Sequence, residues 1–290
     1  MVKNKKLMAY IGLFFVLFVW SVSPLFTYEL QKFYSPTFKL VFGEFLLFFI
    51  YISMSAKHLK EFNISYIKVG VPTGFFLALA NVSQKIGLNY TTPAKYAFLE
   101  NLSCVVVPIL MYFMIKKKIR PITVISAIMC LAGVFVLNGV RLDGGWGIGE
   151  ILCALSGVFY SFNIAGTAVY AKEFHAPLYL AVQSVVGFIF NLILSLVFNF
   201  TGIEKIVFPL DWKLLALMVL VIAISSGLCW PIRTNALKHI SASTVAIIMS
   251  FSAFMTAIVS VAFGTDVLSL EMIIGGIAIV IAIILSSFDE

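Results

Sequence analysis

Residues 177–199 read PLYLAVQSVVGFIFNLILSLVFN, a stretch of 23 residues without a lysine, arginine, aspartate or glutamate. An α-helix rises about 1.5 Å per residue, so the stretch is long enough to cross the roughly 30 Å hydrocarbon layer of a membrane. Its few polar side chains, such as Gln183 and Asn191, are typical of contacts between helices inside a membrane. The stretch therefore predicts a transmembrane helix.

The rest of the chain repeats this pattern. Hydrophobic residues make up 61% of the 290 residues and charged residues only 11%, whereas soluble domains carry roughly 25% charged residues. Ten apolar segments are predicted, at about 7–27, 36–54, 66–88, 94–115, 121–138, 148–170, 177–199, 212–236, 243–262 and 270–287. They are too long and too continuously apolar for barrel strands, so the sequence predicts an all-α membrane protein with ten transmembrane helices.

The distribution of lysine and arginine predicts the orientation, because these residues concentrate in cytoplasmic loops. With the N-terminus inside, twelve lie on the cytoplasmic side, namely Lys3, Lys5, Lys6, Lys57, Lys60, Lys116, Lys117, Lys118, Arg120, Lys172, Arg233 and Lys238. Six lie outside, namely Lys32, Lys85, Lys95, Arg141, Lys205 and Lys213. We therefore expect a multi-pass protein of the plasma membrane with both termini in the cytoplasm.

Two pairs of short matches indicate an internal repeat. Trp20-Ser21 in the first segment matches Tyr160-Ser161 in the sixth, an offset of 140 residues, and Leu88 matches Leu237, an offset of 149 residues. The order of segment lengths is also shared between the halves. We therefore predict two repeats, at residues 1–140 and 147–290.

Each predicted repeat holds five helices, and this odd number makes the second repeat enter the membrane from the opposite side. Inverted repeats with a solute site near the middle of the bilayer are a recurring plan of secondary transporters. The fold class predicted is accordingly ten helices in two inverted five-helix repeats.

Four short motifs resemble a known family. They are residues 87–99 (GLNYTTPAKYAFL), 105–108 (VVVP), 147–155 (GIGEILCAL) and 236–242 (ALKHISA). In order and spacing they resemble the EamA-type transporters of the drug/metabolite transporter superfamily, over essentially the whole chain. The resemblance implies a central cavity lined by helices one to four and six to nine, with helices five and ten peripheral. It implies a wide substrate range, from amino acids and amines to nucleotide-like metabolites and drugs.

The chain departs from that family at three places. Gly43-Glu44 stands where many members have an arginine in the second helix. Glu100 stands where a small or hydroxylated residue is usual. Gly264-Thr265-Asp266 stands where the family often has Gly-Glu.

Glu100 and Glu44 are the residues predicted to couple transport to protons. An ionisable group inside a membrane helix is costly and usually faces a cavity or a partner. Removal from water favours the neutral form of a carboxyl group, which lets such a group take up and release a proton. Glu100 is also a candidate to bind a cationic substrate. The alternative to both roles of Glu100 is a structural ion pair with Lys85. For Glu44 the alternative is a hydrogen bond to a neighbouring helix.

The remaining candidates for substrate binding are Trp20 and Ser21 in the first helix and Tyr160 and Asn163 in the sixth. Aromatic side chains that face a cavity can stack on an aromatic ring of the substrate or hold a substrate cation over their faces. The alternative is ordinary packing. Arg233 is expected to lie at the lipid headgroups, with a role in an inner gate as the alternative.

No pattern in the sequence indicates an enzyme. The sequence has no Walker A loop, no Ser/His/Asp arrangement and no metal-ligand spacing of its four cysteines, so neither a cofactor nor a metal is predicted. We expect a secondary transporter for a small metabolite such as an amine, an amino acid or a similar polar or aromatic compound. Its partners would be that substrate, the lipid bilayer and protons. A membrane-embedded enzyme on lipid-linked substrates and a non-transporting membrane partner protein are the alternatives.

Overall fold

The computed structural model describes residues 2–31, 33–91, 93–116, 118–139, 147–205, 211–262, 264 and 267–288. Within these ranges all the regular secondary structure is helical, without strands. The helices are α1 (Val2–Gln31), α2 (Pro36–Met54), α3 (Ile64–Leu88), α4 (Pro93–Glu100), α5 (Ser103–Ile115), α6 (Pro121–Leu137), α7 (Ile148–Tyr170), α8 (Ala176–Phe200), α9 (Trp212–Ile222), α10 (Cys229–Ala236), α11 (Ala242–Ala262) and α12 (Leu270–Ser287). Of the residues that supported predictions above, Lys32, Thr92, Lys117, Arg141, Thr265 and Asp266 lie outside these ranges.

The predicted transmembrane helices are confirmed. Nine apolar stretches of the described chain are long enough to span a membrane, and α6 is a tenth, shorter apolar helix. Large apolar side chains such as Met8, Phe113 and Phe200 are exposed on the outside of the molecule. Such a surface suits a hydrocarbon solvent and not water.

The fourth transmembrane segment is not one continuous helix, as the sequence predicted, but two. Asn101 and Leu102 separate α4 from α5, and the Asn101 side-chain amide donates to the Ala97 carbonyl oxygen at 2.7 Å. A side-chain donor of this kind satisfies a carbonyl group that the helix itself leaves unpaired. The break places Glu100 at the last residue of α4.

The eighth segment is also interrupted, by a π-helical stretch at Ala223–Leu228 between α9 and α10. Such wider turns loosen the regular backbone ladder and occur often at functional sites. Here other helices supply hydrogen-bond donors. The Trp20 indole donates to the Ser225 carbonyl oxygen at 2.7 Å and the Tyr51 hydroxyl to that of Ser226 at 3.0 Å.

The packing is that of two inverted repeats. Helix α2 packs on α8, α6 on α12 and α5 on α11, each pairing equivalent helices of the two halves. Helix α3 packs on α7, and its counterpart α10 packs on α1. The face at which α1 begins and α12 ends is called the terminal face below, and the other the opposite face.

Candidate functional site

Glu100 lies in a polar cluster at the end of α4. The Gln84 side-chain amide of α3 donates to Glu100 Oε1 at 2.7 Å and also contacts the Tyr96 hydroxyl. Tyr96 in turn hydrogen-bonds the Glu100 carboxyl group. Lys85 is close enough to act electrostatically on Glu100. The direct Lys85–Glu100 ion pair that the sequence left open is not formed, because no contact within 4.0 Å joins the two charged groups.

A glycine of the second half makes room for this cluster. A Cβ atom at Gly157 of α7 would lie 2.7 Å from the Leu99 carbonyl oxygen and 2.9 Å from that of Glu100. Real Cβ atoms do not approach an oxygen so closely, so any larger residue at position 157 would push α4 away. Gly157 therefore holds the end of α4, and with it Glu100, against α7.

Glu44, the second deep carboxyl group, is arranged in a similar way. It lies in α2 and hydrogen-bonds Ser184 of α8. A Cβ atom at Gly187, also in α8, would lie 2.8 Å from the Glu44 carboxyl carbon. Both deep carboxyl groups of the first half are thus accommodated by glycines of the second half.

Tyr160 of α7 lies within electrostatic range of both carboxyl groups. Its hydroxyl donates to Asn81 Oδ1 of α3 at 2.6 Å. Arg233 of α10 also acts on it electrostatically, so Tyr160 is influenced by ionisable groups of three other helices. Tyr160, Glu100 and Glu44 are each partly exposed.

Trp20 of α1 and Trp230 of α10 form an aromatic pair. Their ring centroids are 5.5 Å apart, and the Arg233 guanidinium lies 4.7 Å from the centre of the Trp230 ring. Arg233 is only 3% exposed. The expected position of Arg233 at the lipid headgroups is therefore wrong, because the side chain turns inward onto Trp230.

Ser21 and Asn163 are buried in the packing between and within helices. The Ser21 hydroxyl donates to the Phe18 carbonyl oxygen at 2.8 Å, within its own helix. The Asn163 amide donates to the Thr73 carbonyl oxygen of α3 at 3.1 Å. Both side chains are engaged in these contacts, and their predicted role in substrate binding stays a prediction.

Toward the terminal face, a dense polar network that the sequence did not predict joins three helices. The Tyr179 hydroxyl of α8 lies 2.7 Å from Thr73 Oγ1 of α3 and 3.1 Å from Thr167 Oγ1 of α7. Gln183 donates to Tyr179 at 2.8 Å and to Thr73 at 2.9 Å. Buried networks with every member satisfied hold helices firmly together. The network therefore ties α3, α7 and α8 together on the terminal side of the molecule.

A second contact between the two halves lies at the surface of the terminal face. The imidazole rings of His58 and His175 stack with centroids 4.0 Å apart and planes 14° apart. The Tyr66 hydroxyl accepts from the His175 backbone amide at 2.9 Å, and Lys238 donates to the Phe174 carbonyl oxygen at 2.6 Å. Burial and the nearby His58 lower the pKa of His175, which favours its neutral ring. The loop between α2 and α3 is thus joined to the loop between α7 and α8, across the two halves.

The described part of the chain contains no group of three or more His, Cys, Asp or Glu side chains suited to a metal ion. Ten membrane helices packed as two inverted repeats are the architecture of a class of membrane transporters.

Comparison with known proteins agrees with this class. The chain matches the EamA-like transporter family over residues 7–139 and 147–288, and it therefore belongs to that family. An uncharacterized transporter of Archaeoglobus fulgidus is 23% identical over 284 residues, covering 98% of this chain and 87% of that protein. A protein of known crystal structure shares the fold, with a TM-score of 0.77 at 18% identity over 97% of this chain and 96% of that one.

Proposed function

We propose that this membrane transporter is a secondary active carrier that moves a small metabolite across the plasma membrane by alternating access, coupled to protons. One observation supports this above all. Two carboxyl groups, Glu44 and Glu100, lie inside the helix bundle without a direct ion pair among the described residues, at the contact between the two halves of the chain. Intramembrane carboxyl groups of this kind mark ion pathways and proton relays.

Glu100 is the primary coupling residue in this proposal. It lies about 10 Å along α4, at a rise of about 1.5 Å per residue. Gln84 and Tyr96 hold the carboxyl group in place, while Lys85 supplies a charge without direct contact. A carboxyl group with neutral hydrogen-bond partners and no salt bridge changes its protonation state when the surrounding space is wetted or dried. Glu44 is the second coupling group.

We assign substrate contact to Glu100, Tyr160 and Trp20. Ser21 and Asn163 contact the substrate only in a different conformation, in which their present hydrogen bonds are broken. The partial exposure of the Trp20 and Tyr160 rings supports this assignment, because a fully buried ring could not contact a substrate. A small amine, an amino acid or a similar polar or aromatic compound fits aromatic walls and a carboxyl group.

Alternating access follows from the inverted repeats at residues 1–140 and 147–290, which we take as the two units that rock against each other. The Thr73–Tyr179–Thr167 network and the His58–His175 stack support a state closed at the terminal face. In the rocked state, contacts of this kind open and equivalent ones form at the opposite face. We place the terminal face in the cytoplasm, which follows the lysine and arginine counts.

The test is metabolite uptake into proteoliposomes that contain the purified full chain, with the medium analysed by mass spectrometry. We expect at least one small metabolite to accumulate when a pH gradient is imposed, and not in empty liposomes. The Glu100→Gln variant should lose accumulation, while the Glu271→Gln variant, at the exposed start of α12, should keep it. Accumulation that is equal with and without the gradient would contradict proton coupling. If no metabolite moves under any gradient, the carrier proposal itself is wrong, and an enzyme or a partner protein becomes the better interpretation.

A further inference from the structure

Helices α2 and α8, which occupy equivalent places in the two repeats, pack against each other over their whole length. Three contacts mark this antiparallel pairing from the opposite face to the terminal face, namely Thr37 with Ser195, Glu44 with Gly187 and Ser55 with His175. The contact between the two helices is therefore a continuous boundary between the halves of the chain. The carboxyl group of Glu44 lies near its middle.

The part of this contact between Glu44 and the opposite face is polar. Its side chains, called the polar row below, are Glu204, Thr37, Ser195, Asn191, Ser184 and Glu44. Residues 184, 191 and 195 share one face of α8, and residues 37 and 44 share one face of α2. The four side chains of the row other than the two glutamates are each no more than 5% exposed. Burial of so many polar groups is unfavourable unless they have hydrogen-bond partners.

The outer end of the polar row is a chain of hydrogen bonds. The Ser195 hydroxyl donates to Thr37 Oγ1 at 3.0 Å, and the Thr37 hydroxyl donates to Glu204 Oε1 at 3.0 Å. Glu204 also accepts from the Thr37 backbone amide at 3.0 Å, which fixes the carboxyl group at the start of α2. A hydroxyl group both donates and accepts, so a chain of this kind can pass a proton on.

Water has access to this outer end. A pocket of about 260 Å³ lies between α2, α3 and α8, and its wall includes Thr37 and Glu204. The wall also includes Asn89 and Ile203, which are exposed at the opposite face. The pocket is large enough for several water molecules. Glu204 can therefore exchange protons with water at that face.

Asn191 occupies the gap between this outer end and Glu44. It is 1% exposed, and neither its amide nitrogen nor its amide oxygen has a hydrogen-bond partner in the described structure. It lies one helical turn from Ser195 and one turn from Gly187, which the Glu44 carboxyl group contacts. Buried amide groups are normally satisfied, often by a bound water molecule. Water also both donates and accepts, which suits an amide with both kinds of atom unpaired.

The contact between α2 and α8 has a different character on the other side of Glu44. Toward the terminal face, the same faces of the two helices present buried, mainly apolar side chains, namely Leu47, Tyr51, Pro177 and Leu180. The one polar group among them, the Tyr51 hydroxyl, donates to the Ser226 carbonyl oxygen at 3.0 Å. Apolar side chains neither donate nor accept protons. The polar row therefore connects Glu44 to the opposite face only.

We propose that the polar row is a proton path from the opposite face to Glu44, with water bound at Asn191 as the link between Ser195 and Glu44. This assignment rests on the proposed proton coupling and gives Glu44 a route that does not pass through the Glu100 cluster. In the outward direction, Glu44 gives its proton to the water, and protons then pass in turn to Ser195, Thr37 and Glu204. The water and each hydroxyl regain a hydrogen as they give one up, so one proton moves from Glu44 to Glu204. Inward transfer uses the same groups with the hydroxyls rotated.

The test is infrared spectroscopy of the purified full chain in lipid nanodiscs after a rapid change of pH. The band of the protonated Glu44 carboxyl group is identified as the one that is missing in Glu44→Gln. Tyr51 and Tyr160 are the titratable groups that interact electrostatically with Glu44, and tyrosine does not absorb in the carboxyl region. The rate at which the Glu44 band responds measures how fast protons reach this group.

Two variants interrupt the polar row, Thr37→Val and Asn191→Leu, and both keep nearly the native volume. Thr37→Ser and Asn191→Ser keep a hydroxyl group in the row. Thr244→Val is the matched control, because it makes the same change at a buried position of α11 that lies outside the row. Uptake of metabolites into proteoliposomes, with and without a pH gradient, is measured on the same variants.

We expect the Glu44 band to respond about tenfold or more slowly in Thr37→Val and in Asn191→Leu, which corresponds to a barrier higher by about 1.4 kcal/mol. Thr37→Ser, Asn191→Ser and Thr244→Val should respond at the rate of the parent chain. Thr37→Val keeps the backbone bond to Glu204 and Asn191→Leu removes an unpaired amide, so both variants are expected to fold. The unfolding temperature checks this.

The other outcomes separate this proposal from the proposed function. If Thr37→Val and Asn191→Leu respond as fast as the parent chain, the path is wrong, and proton coupling stands if uptake still follows the pH gradient. If both respond slowly but uptake is independent of the gradient, the path stands and the coupling proposal fails. If Glu44→Gln removes no band that responds to pH, Glu44 does not exchange protons and the path is wrong. An equally slow response in Thr244→Val also contradicts the path, because the effect would then not depend on the polar row.

Discussion

The Gln84 amide donates to Glu100 Oε1 at 2.7 Å, and this bond joins α3 to the end of α4 at the place where the fourth transmembrane segment is broken. Replacing Gln84 by leucine leaves the carboxyl group without its amide donor. Loss of a hydrogen bond to a buried charged group costs about 1.5–3 kcal/mol. We therefore expect Gln84→Leu to lower both the unfolding temperature and the rate of uptake. The control is Asn235→Ala, at an exposed position of α10, and equal effects of the two variants would contradict the importance of the bond.

Gly157 offers a test of the close approach of α4 and α7. An alanine Cβ atom there would lie 2.7 Å from the Leu99 carbonyl oxygen, and backbone atoms have to move to relieve the contact. Overpacking of this kind costs about 1–3 kcal/mol. Gly157→Ala is expected to unfold at a lower temperature than the unchanged chain. Gly43→Ala is the matched control, because its Cβ atom would meet only Ile222 Cδ1 at 3.7 Å, and it should unfold as the parent does.

The stacked pair His58 and His175 predicts a pH-dependent contact at the terminal face. Burial and the nearby His58 lower the pKa of His175 below 6.5, the ordinary value for histidine, with Lys238 acting in the same direction and Glu61 against it. A separated His175 therefore takes up a proton more readily than a stacked one. The stacked state has its full stability above about pH 6.5 and loses it as the pH falls below that value.

Hydrogen exchange of residues 55–63 measures this contact directly. We expect faster exchange at pH 5.5 than at pH 7.5, after correction for the intrinsic rates, and a loss of this difference in His175→Phe. His239→Phe, at an exposed position on the same face, should keep the difference. An equal response of the two variants would show that His175 is not the group that titrates.

The predicted orientation is testable by chemical labelling, because all four native cysteines are buried. A membrane-impermeant maleimide added to intact cells should label Lys213→Cys, at the start of α9, and not Lys60→Cys, in the loop before α3. Labelling of Lys60→Cys alone would place the terminal face outside the cell. Permeabilised cells provide the control, because both variants should then react.

The helices were predictable from the sequence because each membrane crossing requires about 20 consecutive apolar residues. This requirement can be recognised in each stretch of sequence by itself, without knowledge of its tertiary contacts. The interruptions at Asn101 and at Ala223–Leu228 were not predictable in the same way. Polar and small residues stand at both, Asn101 at the first and Ser225-Ser226-Gly227 at the second, but such residues also occur inside unbroken helices such as α7. The donors that stabilise the second interruption, Trp20 and Tyr51, lie far away in the chain.

The candidate site was predictable only in part. Glu44 and Glu100 stood out because a charge is rare in an apolar segment, whatever its surroundings. The inward turn of Arg233 onto Trp230 and the burial of Ser21 and Asn163 depend on how helices are rotated about their axes. That rotation is set by packing between distant segments, for which a single sequence gives little indication. That Lys85 makes no ion pair with the described residues could be seen only from the positions of the side chains around it.

The central claim, that a deep carboxyl group couples solute movement to protons, is tested most directly by proton flux. Proteoliposomes loaded with a pH-sensitive dye are exposed to a transported metabolite in the absence of any imposed gradient. The account predicts an internal pH change that follows addition of the metabolite, is absent in Glu100→Gln and persists in Glu271→Gln. Uptake of the metabolite without any pH change, or an undiminished pH change in Glu100→Gln, would contradict it.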